Sequence, residues 1–553
     1  MSMERPTANE RGAAIDRRTV IASGAAMAGV LGLVGCGGGK GSSGAGGGDP
    51  VTVNNIEPQN PLVPTDTNEV GGGRVLGACF SSLTYFTAEG ETKMDLAESI
   101  ESDDQQHWTI KLREGLKFSD GTPITAKHFV RAWNYGALST NAQRGQSFYQ
   151  PIEGFAAVAA EKPTAKEMTG LKVVDDRSFT VALTGPQSDF PNRLGYYGFA
   201  PMPDSAYDDM KAFGQKPVGS GPYKVESWTH EQSIVVVPNE HYTGPRKAKN
   251  AGLTFTVYTD DSTAYNDLIS GDLDILDQMP TSAIQKFQSE LGDRAVNQPG
   301  GVFQSITISM KDKNFSGEAG RLRRQALSLS IDRPEVCKAI FNATRTPATD
   351  FVPPVIKGGG AKDLPGHEVL VKDAAKAKEL WAKAESMAPF QGDFTLSYNA
   401  DGPHKPWVEA VCNQIANTLG IKATPRPVPT FGEFRKSING GTMTGAFRTG
   451  WQTEYPSMWD LLGTNYTSAA ADGKGSNDSG YKNKEFDDLI DAALAAADEK
   501  AAIEKYHAAE TLLLRDLPAI PLWYQNTSAG SSDRVKGVKF GWNSVPLYHE
   551  ITK

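Results

Sequence analysis

Apolar and polar residues alternate along several short stretches of this chain. Residues 108–112 and 178–183 show this pattern, which is typical of β-strands with one buried face. Residues 223–228 and 233–237 alternate on either side of a short polar turn, so they predict a β-hairpin. Further extended segments are predicted at 394–398, from Ala446 onward and at 518–523.

Apolar residues recur at helical spacing in three later segments, residues 407–419, 486–497 and 501–514. Gly420 directly follows the first segment and predicts its end. An earlier helix is expected to have Thr122 as its N-cap and Pro123 as its first residue. Because strands and helices alternate, we expect an α/β protein with a mostly parallel sheet wrapped by helices.

The N-terminal residues have the layout of an export signal. An apolar run of about 16 residues follows Arg17 and Arg18 and ends at Leu33-Val34-Gly35-Cys36, which is shorter than the roughly 20 residues of a membrane span. This pattern predicts a lipoprotein signal peptide over residues 1–35, with Cys36 acylated as the first mature residue. The arginine pair leaves open whether export uses the general secretory or the twin-arginine route.

Residues 36–50 are predicted to be a flexible Gly/Ser tether. Eight of the 13 residues from 37 to 49 are glycine, and no large apolar side chain interrupts them. Such a segment cannot bury enough surface to offset the entropy cost of ordering it. We therefore expect the folded part of the chain to move over the membrane surface on this tether.

Composition excludes several classes of function. The 553 residues carry a net charge of −9, and an acidic chain without clustered Lys and Arg argues against nucleic acid as a partner. Beyond Cys36, the chain has Cys79, Cys337 and Cys412. Cys412 lies on the apolar face of a predicted helix, which favours a buried thiol over a structural disulfide. The eight histidines are scattered, so we expect no metal site and no cofactor.

Residues 112–126, with the sequence LREGLKFSDGTPITA, closely resemble the signature of the extracellular solute-binding proteins of family 5. These proteins are the peptide-type and nickel-type receptors of ABC importers. Similar segments follow in the same order, namely GSGPY at 219–223, SGDLDI at 270–275, RRQAL at 323–327, IDR at 331–333, YKNKEFD at 481–487 and LPAIPL at 517–522. The resemblance covers the whole chain after the tether.

This resemblance implies an α/β, two-lobed, periplasmic-binding-protein-like fold of type II, cluster C, with an extra subdomain in lobe I. Lobe I is then expected to comprise residues 51–82, 214–299 and 524–553, with the extra subdomain at 83–213. Lobe II is expected to comprise residues 300–523. Two crossings between the lobes, near Gly300-Gly301 and near Trp523, imply a hinge that ligand closes.

Residues 448–456, with the sequence RTGWQTEYP, are the main candidates for ligand binding. Peptide receptors of the family have a similar Trp-x-x-Asp-Tyr pattern, whose acid pairs with the α-amino group of the peptide. Glu454 occupies the position of that acid here, and Tyr455 follows it. A carboxylate in a water-poor cleft suits an ammonium that every free peptide carries. The alternatives for Glu454 are a solvated loop acid or an internal ion pair.

Arg448 resembles in position an arginine that accepts the peptide carboxylate in some oligopeptide receptors. A guanidinium suits a carboxylate well, and an internal salt bridge, including one with Glu454, is the alternative. Trp451 offers either a flat wall for a ligand side chain or a core packing residue. Further candidate ligand-binding residues lie in the loop beyond and in lobe I, namely Asn465, Tyr466, Asn68 and Glu69.

The sequence therefore predicts a monomeric, lipid-anchored receptor at the extracellular face of the cytoplasmic membrane. It is expected to capture short peptides and to deliver them to an ABC permease and its ATPase, without covalent chemistry. A second interpretation keeps this receptor class but changes the ligand to an oligosaccharide, an opine-like compound or a chelated metal. A third is a surface peptidase, although the sequence shows no HExxH or GxSxG motif.

Overall fold

The hairpin predicted from alternating residues is confirmed in the computed structural model, which describes residues 48–473 and 475–553. Its strands are Tyr223–Thr229 and Ser233–Pro238, and they pair antiparallel. The two other alternating stretches form His107–Leu112 and Ser178–Ala182, which pair with each other. The predicted signal peptide, the acylation site Cys36 and most of the predicted tether lie outside the described residues.

The strands are numbered in chain order. They are β1 Val51–Asn55, β2 Thr84–Phe86, β3 Thr92–Met94, β4 Ala97–Glu101, β5 His107–Leu112, β6 Leu171–Asp175, β7 Ser178–Ala182, β8 Tyr223–Thr229, β9 Ser233–Pro238, β10 Leu253–Val257, β11 Ile275–Leu276, β12 Ala295–Ile308, β13 Arg345–Pro347, β14 Phe394–Asn399, β15 Ala423–Val428, β16 Ala446–Gln452 and β17 Ala519–Ser531.

The helices are numbered in the same way. They are α1 Val70–Cys79, α2 Ala126–Ala137, α3 Phe155–Ala159, α4 Phe190–Arg193, α5 Met210–Phe213, α6 Asp261–Ser270, α7 Phe287–Leu291, α8 Gly317–Leu329, α9 Arg333–Ala339, α10 Ala374–Met387, α11 Lys405–Leu419, α12 Phe431–Asn439, α13 Met458–Tyr466, α14 Lys484–Leu494 and α15 Glu499–Asp516. Within the described residues, none of the helices is both long enough and apolar enough to cross a membrane.

The largest sheet has the strand order β15-β14-β16-β12-β17-β11-β1-β10-β9-β8, and β13 also pairs with β17. The expectation of a mostly parallel sheet is wrong, because β12 runs antiparallel to both β16 and β17, and β9 runs antiparallel to β8 and β10. Only β1 with β10 and β11, and β14 with β15 and β16, pair parallel among the described strands. Apolar periodicity reports which face of a strand is buried but not the direction of its neighbour.

The two long strands β12 and β17 connect the two ends of this sheet. Their pairing is interrupted between Pro299 and Val302, so Gly300 and Gly301 lie at a break in the register. One large hydrophobic cluster draws mostly on residues 51–255, and two others draw on residues from 303 onward. The lobe boundaries drawn from the sequence remain a prediction, and the break at the glycines lies where one crossing was expected.

The helix expected near residue 123 begins later than predicted, because Thr125 and not Thr122 is the N-cap of α2. The N–H of Thr125 donates to Nδ1 of His128 at 2.9 Å. Thr122 instead donates from its backbone and its hydroxyl to Asp120, at 2.9 and 2.6 Å. An aspartate that forms a local turn competes with the helix for the same threonine.

The predicted helix over residues 407–419 is confirmed as α11. Gly420 ends it in the left-handed conformation, with φ at 68°, which glycine adopts at little cost. Cys412 is buried on the apolar face of this helix, as predicted. Cys79 and Cys337 are also buried free thiols.

Two glycines of the GSGPY segment allow the turn before β8 to pack against the end of α1. A Cβ atom on Gly219 would lie 2.1 Å from the carbonyl oxygen of Cys79, and one on Gly221 would lie 2.7 Å from the carbonyl carbon of the same residue. The N–H of Gly221 also donates to that oxygen at 2.8 Å. Backbone meets backbone here, which leaves no room for a side chain.

Gly219→Ala is expected to lower the free energy of unfolding by about 1–3 kcal/mol, because the added methyl overlaps a backbone oxygen that cannot rotate away. Gly185→Ala is the matched control, since a Cβ there meets no atom within 4 Å. Urea unfolding followed by circular dichroism measures both variants. Wild-type stability in Gly219→Ala would contradict the close approach.

Candidate functional site

A cavity of about 670 Å³ lies beside the crossing strands β12 and β17. The start of α1 and the Tyr196–Tyr197 turn contribute to one part of its wall, and the loop after β16 contributes to another. Arg345 of strand β13 and the segment from 541 to 549 form further parts of the lining. A cavity of this volume suits a small organic ligand or a short chain.

Glu454 lies in the loop between β16 and α13, and its side chain lines the cavity. Burial raises its pKa to about 7, because the charged carboxylate loses hydration. A hydrogen bond from the Tyr196 hydroxyl acts in the opposite direction. No lysine, arginine or histidine of the described residues forms an ion pair with it, so the internal salt bridge considered for Glu454 does not form.

A second carboxyl group, that of Asp460 in the first turn of α13, is buried behind Glu454. Its Oδ2 accepts the N–H of Glu454 at 2.9 Å and the indole N–H of Trp451 at 3.1 Å. Burial and the charge of Glu454 raise the pKa of Asp460 to about 8. The two acids therefore titrate as a coupled pair, which carries at most about one negative charge near neutral pH.

Tyr196 and Tyr197 form an aromatic wall next to the acids of the cavity, with ring centroids 4.3 Å apart. Burial raises the pKa of both hydroxyls, and the charge of Glu454 adds to this effect for both. The charge of Glu69 also raises the pKa of Tyr197. Aromatic faces attract cations, so this wall and the carboxylates favour the same kind of ligand group.

Glu69 is the N-cap of α1, and its Oε1 accepts the N–H of Gly72 at 2.9 Å. Its Oε2 is buried and accepts no hydrogen bond. Burial raises the pKa of Glu69, while the backbone amides around it act in the opposite direction. The neighbouring Asn68 is exposed. Both residues line the same cavity as Glu454.

The cavity also contains basic residues, and two of them are already paired. Arg74 binds Asp277 at 2.6 Å, and Arg246 binds Asp95 at 2.9 Å. Arg345 on β13 has no carboxylate partner among the described residues, and its Nε is buried without a hydrogen bond. Burial lowers the pKa of Arg345 to about 10, which still leaves it charged at neutral pH.

Arg448 lines a different cavity, of about 310 Å³. Its Nε donates to Oδ1 of Asn399 at 2.8 Å, and its guanidinium lies 5.3 Å from the ring centre of Phe431 and 5.5 Å from that of Phe434. The salt bridge considered for it with Glu454 is therefore not observed in the described part of the chain. Three other predicted site residues also line this smaller cavity, namely Asn465, Tyr466 and Trp451, of which Trp451 lines both cavities.

Tyr455 lines neither cavity. It is 3 % exposed, and its ring lies 5.3 Å from the guanidinium of Arg193, which also stacks 4.2 Å from the ring of Trp459. Because Arg193 belongs to α4, this packing joins the loop after β16 to the region of residues 83–213. The geometry makes Tyr455 a support for the loop that carries Glu454 and not a wall of the cavity.

Sequence reasoning missed Tyr196, Tyr197, Arg345 and Asp460. The two tyrosines lie between Gly195 and Gly198, and paired aromatics between glycines signal a turn that presents rings to a ligand. Arg345 has no comparable local signal, because the pairing of β13 with β17 brings it to the cavity. Asp460 has none either, because the capped helix α13 places it behind Glu454 and not in the cavity wall.

The side chains around the cavity offer carboxylates, phenols, indole and guanidinium groups for binding. Ammonium, hydroxyl and carboxylate groups of a ligand all find complementary partners in this set. Among the described residues, no group of three His, Cys, Asp or Glu side chains is arranged to hold a metal ion. The arrangement therefore favours recognition of a charged organic ligand.

This chain is similar to known solute-binding proteins. A family model described as bacterial extracellular solute-binding proteins, family 5 Middle, matches residues 91–473. The periplasmic oligopeptide-binding protein OppA of Salmonella typhimurium is 28% identical over 479 residues, which cover 85% of this chain and 86% of that protein. The oligopeptide-binding protein OppA of Bacillus subtilis is 28% identical over 499 residues, with coverages of 86% and 88%.

The fold is shared with solved structures. The crystal structure of Haemophilus influenzae OppA in complex with RPPGFSPFR matches with a TM-score of 0.74 at 23% identity, over 91% of this chain and 98% of that chain. This similarity confirms the predicted two-lobed α/β fold class. It concerns the fold alone, and the positions of individual ligand contacts remain predictions.

Replacing Asp460 with asparagine tests the buried acid pair. The pKa of Asp460 is about 8 in the folded protein and about 3.9 in an unfolded chain. The unfolded state therefore loses its proton first, and this group's stabilising contribution is lost as pH rises from about 4 to 8. Asp460→Asn keeps an acceptor oxygen and cannot ionise, so its Tm relative to the wild type is expected to rise over this range.

Differential scanning fluorimetry at several pH values measures this effect. Asp208→Asn is the matched control, because Asp208 is exposed and its replacement is expected to leave the shape of the Tm curve unchanged. Parallel curves for Asp460→Asn and the wild type would contradict the raised pKa.

Proposed function

Because the chain belongs to the bacterial extracellular solute-binding proteins of family 5, we propose that it captures short peptides in the cavity at Glu454 and delivers them to an ABC permease and its ATPase. The observation that carries this proposal is a cavity carboxylate with no cationic partner among the described residues. The names of the relatives, which describe oligopeptide-binding proteins, support the same ligand class.

Burying the charged side chain of Glu454 costs free energy. A carboxylate that loses hydration without gaining a cation is unstable, which is why its pKa rises to about 7. The ammonium of a peptide supplies the missing charge, and charge-assisted hydrogen bonds of this kind contribute roughly 1.5–3 kcal/mol each. Because every free peptide has this group, such a site accepts many sequences.

The lobe arrangement is part of the proposal. Lobe I comprises residues 51–82, 214–299 and 524–553 with the subdomain at 83–213, and lobe II comprises 300–523. The register break at Gly300 and Gly301 gives the crossing a place to bend. Closure of the lobes around a peptide removes water from Glu454 and strengthens its interaction with the ammonium.

The membrane attachment is proposed from the sequence. We assign Cys36 as the acylated residue that holds a monomeric receptor at the outer face of the cytoplasmic membrane, and residues 36–50 as its tether. The protein acts by binding and release, so a peptide ligand is recovered intact after incubation. A cleaved ligand, detected by mass spectrometry, would indicate a peptidase instead.

An oligosaccharide is the second candidate ligand, because aromatic rings line much of the cavity. Tyr196, Tyr197, Phe86 and Trp542 all contribute to its wall, and sugar rings stack on such surfaces. The carboxylate without a cationic partner argues for peptide, since a neutral sugar leaves that charge uncompensated. Binding that is indifferent to the charge at position 454 would favour the sugar.

Glu454→Ala is expected to weaken the binding of unmodified tripeptides and tetrapeptides at least tenfold, or about 1.4 kcal/mol, because the ammonium loses its counter-charge. Isothermal titration calorimetry with a mixture of defined peptides measures this change. Glu161→Ala, which removes an exposed acid, is the control and is expected to bind like the wild type. Acetylation of the peptide amino group is expected to weaken wild-type binding and to abolish the difference between wild type and Glu454→Ala. Unchanged affinity in Glu454→Ala would remove this residue from the site.

A further inference from the structure

We propose that Glu69 recognises a second cationic group of the ligand, so that the preferred ligands are short peptides with a lysine or arginine side chain in their first two residues. This inference rests on the proposed function, because it assumes that Glu454 receives the peptide ammonium. It assigns Glu69 as a residue that determines specificity within the same cavity.

Some of the charged side chains that line the cavity have ion-pair partners within the protein, and others do not. The charges of Arg74 and Arg246 are compensated by Asp277 and Asp95, at 2.6 and 2.9 Å. His549 also lines the cavity, and burial lowers its pKa to about 4, so it is neutral at pH 7. Three charged groups remain without an ion-pair partner among the described residues, namely Glu69, Glu454 and Arg345.

A simple zwitterionic peptide compensates only two of these three groups. Its ammonium matches Glu454, and its carboxylate has the sign that suits Arg345. One carboxylate, that of Glu69, then stays without a counter-charge in a cavity from which the ligand has displaced water. Leaving a charge unpaired in such a place is costly. A ligand with one additional cation compensates all three groups.

Glu69 already has a structural role as the N-cap of α1. Its Oε1 caps α1 through the N–H of Gly72 at 2.9 Å. Backbone N–H groups are neutral, so this capping leaves the full negative charge on the side chain. Its Oε2 is buried with no hydrogen-bond partner. Backbone N–H groups of Gly71, Gln59 and Asn60 also lie close to this carboxylate, so what Glu69 offers a ligand is its uncompensated negative charge.

Tyr197 connects the position of Glu69 to that of Glu454. The hydroxyl of Tyr197 donates to the carbonyl oxygen of Thr67 at 3.2 Å, two residues before Glu69. A Cβ on Gly73, in the first turn of α1, would lie 3.1 Å from the same hydroxyl. Tyr197 thus packs directly on the start of α1, and its hydroxyl responds to the charges of both Glu69 and Glu454.

Because Tyr197 is influenced by both Glu69 and Glu454, we use it to position the second cation of the ligand. Successive residues of an extended peptide advance by about 3.4 Å, and a lysine side chain reaches further than one such step. With the ammonium at Glu454, the proposal therefore places the second cation on the first or second residue of the peptide, near Tyr197 and Glu69, and not at the far end of the peptide.

The test compares tripeptides that differ only in having lysine or norleucine at one position. For the wild type, lysine at the first or second residue is expected to bind at least fivefold more tightly than norleucine, whereas lysine at the third residue gives no gain. In Glu69→Gln the ratio is expected to fall to about one. Glutamine keeps the capping oxygen, so the Tm of Glu69→Gln is expected to match the wild type.

One other variant, Glu454→Ala, helps to separate the possible outcomes. Glu454→Ala is expected to weaken lysine and norleucine peptides by the same factor, so the lysine preference survives in it. If no free peptide binds the wild type, the proposed function fails. If peptides bind but the lysine ratio is about one in the wild type, or if Glu69→Gln weakens norleucine and lysine peptides equally, the proposed role of Glu69 is wrong while the peptide receptor stands.

Discussion

The candidate site depends on one unfavourable interaction, the burial of the Glu454 charge. Water that would stabilise this carboxylate is largely excluded, and no cation among the described residues replaces it. A proton or a cationic ligand can relieve the cost, and the pKa of about 7 shows that the proton already competes near neutral pH. The cavity is therefore electrostatically incomplete by itself, and under the proposed function the ammonium of a peptide completes it.

The scaffold connects this charge to the crossing between the two parts of the sheet. Thr453, directly before Glu454, donates from its N–H and its hydroxyl to the carbonyl oxygen of Gly301, at 3.1 and 3.0 Å. Gly301 lies at the break in the pairing of β12 with β17. Behind the loop, Tyr455 packs on Arg193. A change of backbone conformation at the break thus moves the acid, and the proposed closure and the binding step share the same few residues.

Local pattern was enough to predict those parts of the molecule that local forces determine. The hairpin of β8 and β9, the end of α11 at Gly420 and the buried Cys412 all follow from spacing and from turn chemistry. Three of the candidate ligand-binding residues, Glu454, Asn68 and Glu69, line one cavity, and their part in binding stays a prediction. Pattern failed where two nearby groups competed, as Asp120 does for Thr122, and where strand direction depends on distant neighbours.

The positions of Arg345 and Arg448 depend on contacts between distant parts of the chain. Arg345 reaches the cavity because β13 pairs with β17, about 180 residues away. Arg448 lies only six residues before Glu454, yet it lines the smaller cavity and bonds Asn399 from β14. Distance along the chain is therefore a poor guide to which arginines line the larger cavity. The net charge of −9 acts over a longer range than these contacts. Its effect can be read from composition alone, because it attracts cations toward any part of the surface. At the cavity, two of the three groups without an ion-pair partner are negative, so their sum has the same sign as the net charge. Under the proposal, a cationic peptide gains in both encounter rate and bound free energy, whereas an anionic ligand loses in both.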